Sequence, residues 1–214
     1  MNLITTDLKR NRPGTRGADL YHWAPEDFDK TKGLFAVQEY IQELIRDNPN
    51  DIKKIITAPD DVDLIVWKYE HIRQFILETN LLIVQLQTIC TKHSCPKMKA
   101  TDDWLYLCSH PPNNTTYECC AIDYMIHNID QFTSLLNNSK YFSSRVAIPT
   151  SSLKHLESIV RRLYRIYSHT YFHHVDIFGD FEKEMHLCER FTEFVKKYEM
   201  MPSKYIIIPS NAFK

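Results

Sequence analysis

Two short pairs of metal-binding side chains, far apart in the chain, restrict how it can fold. Cys90 and Cys95 are five residues apart, and His169 and His174 repeat that spacing in the last third of the 214-residue sequence. Two thiolates and two imidazoles are a complete tetrahedral donor set for Zn²⁺, and such a set leaves no position open for a substrate. If the four side chains share one ion, the middle of the chain must pack against its last third, and the metal has a structural role.

Spacing alone does not decide which histidine completes the donor set. His169 and His173 are four residues apart and share one face of a helix, whereas His174 lies about 140° around an ideal helix from His169. Spacing therefore slightly favours His173, and His174 can serve only if the helix ends or distorts by Phe172. A further alternative is that the cysteines are core residues without a metal, since free cysteine is among the most buried residue types.

Composition and charge exclude several classes of function. The net charge of −1 gives no basic footprint for nucleic acid. No run of residues reaches the roughly eighteen apolar side chains of a membrane span. Only four glycines are present, and neither a Gly-x-Gly-x-x-Gly nor a P-loop pattern occurs. The first residues lack the apolar core of a secretory signal, so we expect a cytoplasmic protein whose cysteines stay thiols or metal ligands.

Apolar residues recur every three or four positions along most of the chain, which predicts a mostly α-helical bundle. The length suits one large domain. We predict an extended N-terminal arm over residues 1–30 and a single helical domain over residues 31–214. A small β-hairpin is expected between the helices, with residues 104–107 as one strand and its loop at 111–114. The predicted helices cover residues 34–45, 63–89, 121–136, the segment after Pro149, and 181–198.

Three arginines precede the histidine pair, and we expect them on the same helix. Arg161, Arg165 and His169 are spaced four apart and so share one helical face, with Arg162 close by. Like charges at this spacing repel one another, and guanidinium groups bind phosphate oxygens through two parallel hydrogen bonds. The cluster is therefore a candidate phosphate-binding face. The alternative is a solvated basic surface, or arginines paired with acids such as Glu157.

No catalytic residue is predicted. The sequence contains neither a Gly-x-Ser-x-Gly elbow nor a His-Glu-x-x-His motif. The remaining cysteines are more typical of a protein core than of a nucleophile; they are Cys108, Cys119, Cys120 and Cys188. A zinc-dependent hydrolase is the alternative function, but catalytic zinc keeps three protein ligands and a water. Four protein ligands therefore favour a protein that is not an enzyme.

Taken together, these segments resemble the Mob/phocein family, over about residues 10–209. The Cys90-x₄-Cys95-Pro96 box resembles the family's zinc box, and residues 161–174 resemble its histidine helix. Three further segments are closest to the phocein (Mob4-type) branch; they are residues 10–15, 67–71 and 141–146.

The resemblance implies a Mob/phocein-type helical bundle with a structural Zn²⁺ ion. By the family pattern, its ligands are Cys90, Cys95, His169 and His174. This implication overrides the preference for His173 that spacing gives.

The resemblance also implies a function. Family members are adaptors in signalling and kinase regulation, and some bind phosphorylated segments of Ste20-type kinases through basic residues that fall on Arg161, Arg162 and Arg165. Phocein-type members belong to striatin-interacting phosphatase and kinase assemblies, with a striatin scaffold and a type-2A phosphatase. The first helix departs from the branch that activates NDR/LATS-type kinases, so direct kinase activation is not implied.

Overall fold

The computed structural model describes residues 11–21, 23, 27–31, 33–109 and 115–213. Within these residues the protein is mostly helical, as predicted. None of the described helices is both long and apolar enough to cross a membrane. The seven α-helices of this part of the chain are α1 (Ala36–Asp47), α2 (Ile52–Ile55), α3 (Leu64–Leu86), α4 (Ala121–Leu136), α5 (Leu153–His173), α6 (Val175–Met185) and α7 (Leu187–Lys197).

Helix α3 is the centre of the bundle and packs against α1, α4, α5 and α7. It begins after Asp63, whose carboxylate accepts hydrogen bonds from the backbone N–H groups of Ile65 and Val66 at 2.8 and 3.0 Å. Such a cap satisfies amides that have no partner within the helix. Its side chains are buried on several sides, with Trp67 and Leu86 fully inaccessible. This helix therefore organises the core and leads directly to the first cysteine pair.

Two ion pairs with buried carboxylates connect α3 to other parts of the chain. Arg145 donates from Nε to a carboxylate oxygen of Glu70 at 2.7 Å, and a second guanidinium nitrogen contacts the other oxygen. Nearer the end of α3, Glu78 pairs with Arg190 of α7, and the Arg190 side chain is fully buried. Both carboxylates are buried, so each depends on its arginine for charge compensation.

The C-terminal third differs from the prediction of one helix over residues 181–198. The chain forms α6 and α7, separated at His186, which has left-handed backbone angles (φ 47°, ψ 34°). The side chain of Glu182 accepts the backbone N–H groups of Cys188 at 2.7 Å and Glu189 at 3.1 Å. Glu182 of α6 thus caps the first turn of α7, which stabilises the separation of the two helices at His186. Apolar periodicity does not reveal this separation.

The predicted β-hairpin is wrong within the described residues, which contain isolated bridges in place of strands. The antiparallel bridges join Lys99 to Leu105 and Cys108 to Tyr117. A tight turn, in which the N–H of Trp104 donates to the carbonyl of Thr101 at 3.1 Å, folds the segment back on itself. Each bridge is a single residue pair, so neither forms a strand. The predicted loop at 111–114 lies outside the described residues.

The predicted arm at residues 1–30 is described only in part. The Phe28 ring lies edge-on to Tyr40 of α1, with ring centroids 5.3 Å apart. The guanidinium of Arg46 lies 4.5 Å from the centroid of Tyr21. These contacts attach the described aromatics to α1, while the division of the chain at residue 30 stays a prediction.

Candidate functional site

The first half of the site is built where α3 ends. The N–H of Cys90 donates to the carbonyl of Leu86 at 2.8 Å, so this cysteine extends the last helical turn. The N–H of Cys95 donates to the carbonyl of Thr91 at 2.8 Å, which closes a tight loop between the two thiols. Ser94 secures the loop by donating to the carbonyl of Ile89 at 2.6 Å. Both thiols are buried.

The second half of the site is built where α5 ends. His169 lies in the last turns of α5 and is fully buried. Helix α5 ends at His173, one residue later than the end at Phe172 that a ligand role for His174 was expected to require. His174 then leaves the helix with φ −140° and ψ 53°. Because His174 is no longer on the helix, its imidazole is not held about 140° away from His169.

The fold brings the two halves into one group. One donor atom from each of four side chains lies within 4.8 Å of all the others; the four are Cys90, Cys95, His169 and His174. Cys90 Sγ is 3.6 Å from His169 Nε2, and Cys95 Sγ is 3.5 Å from His174 Nε2. The middle of the chain therefore meets its last third at this point.

The dimensions and chemistry of the group fit a tetrahedral zinc ion. With Zn–S bonds of about 2.3 Å and Zn–N bonds of about 2.0 Å, a sulfur and a nitrogen on one ion lie roughly 3.5 Å apart. The two Sγ–Nε2 separations match that value. Thiolate and imidazole ligands favour zinc over the oxygen-seeking ions Mg²⁺ and Ca²⁺, and no carboxylate belongs to the group. The group is therefore able to bind a metal ion.

The ligand protonation states are consistent with this role. Burial lowers the pKa of His169 to about 4, so its imidazole is neutral near pH 7. Neutral imidazole is the form that binds metals. Burial and the neighbouring Cys95 raise the pKa of Cys90, so a bound cation has to displace its proton.

His173 lies beside the group but does not belong to it. Its ring stacks on that of His169, with centroids 4.6 Å apart and an interplanar angle of 28°, and it is exposed. The structure thus brings His174 to the thiols, contrary to the slight preference that spacing gives for His173.

The three arginines lie on α5, as expected, but point to two different places. Arg162 donates to the side-chain carbonyl of Gln131 at 3.1 Å, which directs it onto α4. Arg165 donates to the hydroxyl of Tyr124, also on α4, at 2.9 Å. Arg161 is exposed. Helix α4 therefore positions two of the three guanidinium groups.

Arg161 and Arg165 share a surface pocket of about 320 Å³ whose other walls are mostly aromatic. The guanidinium of Arg165 lies 5.0 Å from the ring centroid of Tyr106. Trp104 and Tyr205 meet edge-on in the same pocket, with centroids 6.4 Å apart. The sequence does not predict these aromatic walls, because they come from three separate segments that only the folded chain brings together.

None of the ion pairs in the described part of the chain joins an acid to these arginines, so the expected alternative of pairing with Glu157 is not observed there. Burial lowers the pKa of Arg162, and the charges of Arg165 and Arg161 lower it further. The neighbouring Tyr124 has the opposite effect and raises this pKa. The three guanidinium groups are therefore close enough for their charges to interact, and none of them forms an ion pair with a described carboxylate.

A second group of potential metal ligands was missed from the sequence. Cys108, Cys119 and His127 each place one donor atom within 4.8 Å of the other two. The sequence favours core positions for both cysteines, and both are buried. The three positions have no spacing typical of a zinc motif, so only the folded chain reveals the group.

Comparison with known proteins gives consistent matches over most of the chain. A family model described as "Mob1/phocein family" matches residues 42–209. The protein "MOB kinase activator-like 4" of Drosophila melanogaster is 48% identical over 207 residues, which cover 97% of this chain and 92% of the fly protein. "MOB-like protein phocein" of Caenorhabditis elegans is 46% identical over 202 residues, covering 94% of this chain and 90% of the nematode protein.

Proposed function

Since the chain belongs to the Mob1/phocein family, we propose that it is a non-enzymatic, zinc-stabilised adaptor of kinase and phosphatase signalling assemblies. The family predicted from the sequence motifs is thereby confirmed. The observation that carries the adaptor proposal is the closed group of four donors, which would leave a bound ion no position for substrate. The alternative, a zinc hydrolase, would need a metal position that is open to substrate, and the group of four donors does not offer one.

The proposed structural zinc ion is held by Cys90, Cys95, His169 and His174. When bound, zinc supplies a crosslink between the end of α3 and the junction of α5 with α6. Two thiolates would neutralise the charge of the dication, which lowers the free-energy cost of burying it in a site without carboxylates. The sulfur–nitrogen separations of 3.5 and 3.6 Å support this assignment.

The proposed binding activity resides on the arginine face, which consists of Arg161, Arg162 and Arg165. Two of these line the aromatic pocket, and the third is directed onto α4 by Gln131. Guanidinium groups bind phosphate oxygens through charge-assisted hydrogen bonds. A phosphorylated peptide would place its phosphate among these charges and its neighbouring side chains against the aromatic walls.

The proposed partners follow from the family resemblance and its phocein-like segments. They are a striatin-type scaffold, a type-2A phosphatase and Ste20-type kinase components, bound in the cytoplasm. In this proposal residues 31–214 act as one domain and residues 1–30 as an arm attached to it.

An affinity purification tests this function. The wild-type chain, an Arg161/Arg162/Arg165→Ala variant and a Lys154→Ala control on the same helix would be compared by quantitative mass spectrometry. We expect the striatin and phosphatase components with all three, and loss of phosphorylated kinase segments with the triple variant only. Wild-type zinc content and thermal stability would show that the triple variant is folded. Recovery of none of these components by the wild-type chain would contradict the adaptor proposal.

A further inference from the structure

The second cysteine–histidine group has the dimensions of a metal site. His127 Nδ1 lies 3.5 Å from Cys108 Sγ and 3.8 Å from Cys119 Sγ. A sulfur and a nitrogen bound to one tetrahedral zinc ion are separated by roughly 3.5 Å. Cys108 is 1% exposed and Cys119 is 8% exposed, so the thiols face the interior.

Three separate pieces of backbone hold these donors in place. Cys108 forms two reciprocal backbone hydrogen bonds with Tyr117, at 2.9 and 3.0 Å. The carbonyl of Cys119 accepts the N–H of Met98 at 3.1 Å. His127 comes from α4, near the middle of the helix. The donors are therefore positioned by main-chain structure and do not meet merely because they are neighbours in sequence.

The donor types indicate which ions would bind. Two thiols and one imidazole suit Zn²⁺ and similar thiolate-binding ions, and do not suit Mg²⁺ or Ca²⁺. A redox-active or nucleophilic role fits less well, because reactivity requires a readily formed thiolate. Burial and the neighbouring Cys108 raise the pKa of Cys119 to about 12, so without a cation its thiol stays protonated.

We propose that Cys108, Cys119 and His127 bind a second Zn²⁺ ion, distinct from the ion at the Cys₂His₂ site. This ion connects the bridged segment before α4 to α4 itself. The same helix carries Tyr124 and Gln131, which direct Arg165 and Arg162. The second site thus fixes the helix that positions the arginine face. The described residues supply three donors, and a fourth tetrahedral position is left for water or another donor.

Zinc counting on the full-length chain tests the proposal. Native mass spectrometry of protein purified under reducing conditions should give two zinc ions per wild-type chain. Cys119→Ser and His127→Asn should each lose one equivalent relative to the wild type. Cys120→Ser is the matched control, because this adjacent buried cysteine belongs to neither group, and it should lose none. Wild-type zinc counts in both Cys119→Ser and His127→Asn would overturn the proposal.

A second measurement needs no variant. Metal-free wild-type protein titrated with Co²⁺ should develop thiolate-to-metal absorption until two equivalents are bound, because each site contains two thiolates. Saturation at one equivalent would overturn the proposal. A mass lower by two hydrogens in the unreduced protein, mapped to a bond between Cys108 and Cys119, would equally do so, because a disulfide cannot bind the ion.

Discussion

Nδ1 of His169 lies 2.7 Å from the backbone carbonyl oxygen of Lys99. A carbonyl oxygen can only accept, so Nδ1 carries the proton and Nε2 presents its lone pair to Cys90. Such hydrogen bonds behind a metal ligand fix the tautomer and the ring orientation. The contact also joins α5 to the segment that follows the cysteine loop. Lys99, which lies outside the donor set, therefore holds the His169 ring with Nε2 towards Cys90.

Removal of the metal should loosen the two ends that it joins. In hydrogen–deuterium exchange, a chelator should speed exchange in residues 86–100 and 169–176, because metal binding and local folding are coupled. The centre of α7 should change much less, since Phe191 and Phe194 are buried in the main core. Unchanged exchange in the cysteine loop of protein verified as metal-free would contradict a structural role for zinc.

The buried pair of Glu78 and Arg190 should matter far more than an exposed one. Glu78→Ala leaves the Arg190 charge buried without its partner, which typically costs about 3–5 kcal/mol in the free energy of unfolding. Asp180→Ala, which removes the partner of Lys183 in an exposed pair, should change the stability little. Urea denaturation of both variants measures the difference. Similar small effects would show that Glu78 is not needed to compensate Arg190.

His71 should make the protein less stable in mild acid. Burial lowers the pKa of His71 well below its usual range, and the charges of Arg190 and Lys197 lower it further. As the pH falls below about 6.5, the unfolded chain binds a proton that the folded chain does not, so the free energy of unfolding decreases.

Replacement of His71 tests this pH dependence. His71→Phe keeps a ring among Trp67 and Phe194, whose centroids lie 4.5 and 4.7 Å away. The loss of stability between pH 7 and pH 5, measured by chemical denaturation, should be smaller in this variant than in the wild type. An identical loss in both proteins would assign the effect to other groups.

Arg165 should contribute strongly to phosphopeptide affinity. A phosphothreonine peptide from a kinase partner should bind more weakly as salt is raised. Arg165→Ala should reduce affinity about tenfold or more, because a hydrogen bond to a charged group contributes roughly 1.5–3 kcal/mol. Arg165→Lys should recover only part of the loss, since lysine cannot form two parallel bonds to phosphate.

Calorimetry with two controls checks this prediction. Lys154→Ala removes an exposed charge from the same helix and should leave the affinity unchanged. The unphosphorylated peptide should bind much more weakly than the phosphorylated one. Equal binding of the two peptides at low salt would rule out phosphate recognition and leave only the scaffold role.

Helical periodicity predicted most of the bundle, because a helix that buries one face has apolar residues every three or four positions. It placed α3 and α4 within a few residues of their observed ends. It did not predict the break at His186, which depends on the capping carboxylate of Glu182 and on a left-handed residue. The expected strand at residues 104–107 pairs only at Leu105, and its partner is the preceding Lys99 across the turn at 101–104.

The candidate site shows a similar division. The Cys90 and Cys95 loop is local, so its spacing was informative. The choice between His173 and His174 depends on where α5 ends. The helix ends because the backbone of His174 is not helical, and apolar periodicity cannot identify that residue. The second group was missed because tertiary contacts, not spacing, bring its members together.

The zinc contents of His174→Ala and His173→Ala test the central claim most directly. Both remove an imidazole at the same helix end, but only His174 has a donor atom in the four-residue group. Measured by native mass spectrometry with thermal unfolding in parallel, His174→Ala should lose one zinc equivalent relative to the wild type and unfold at a markedly lower Tm. His173→Ala should retain the wild-type zinc content. A full zinc content and normal Tm in His174→Ala would contradict the assignment.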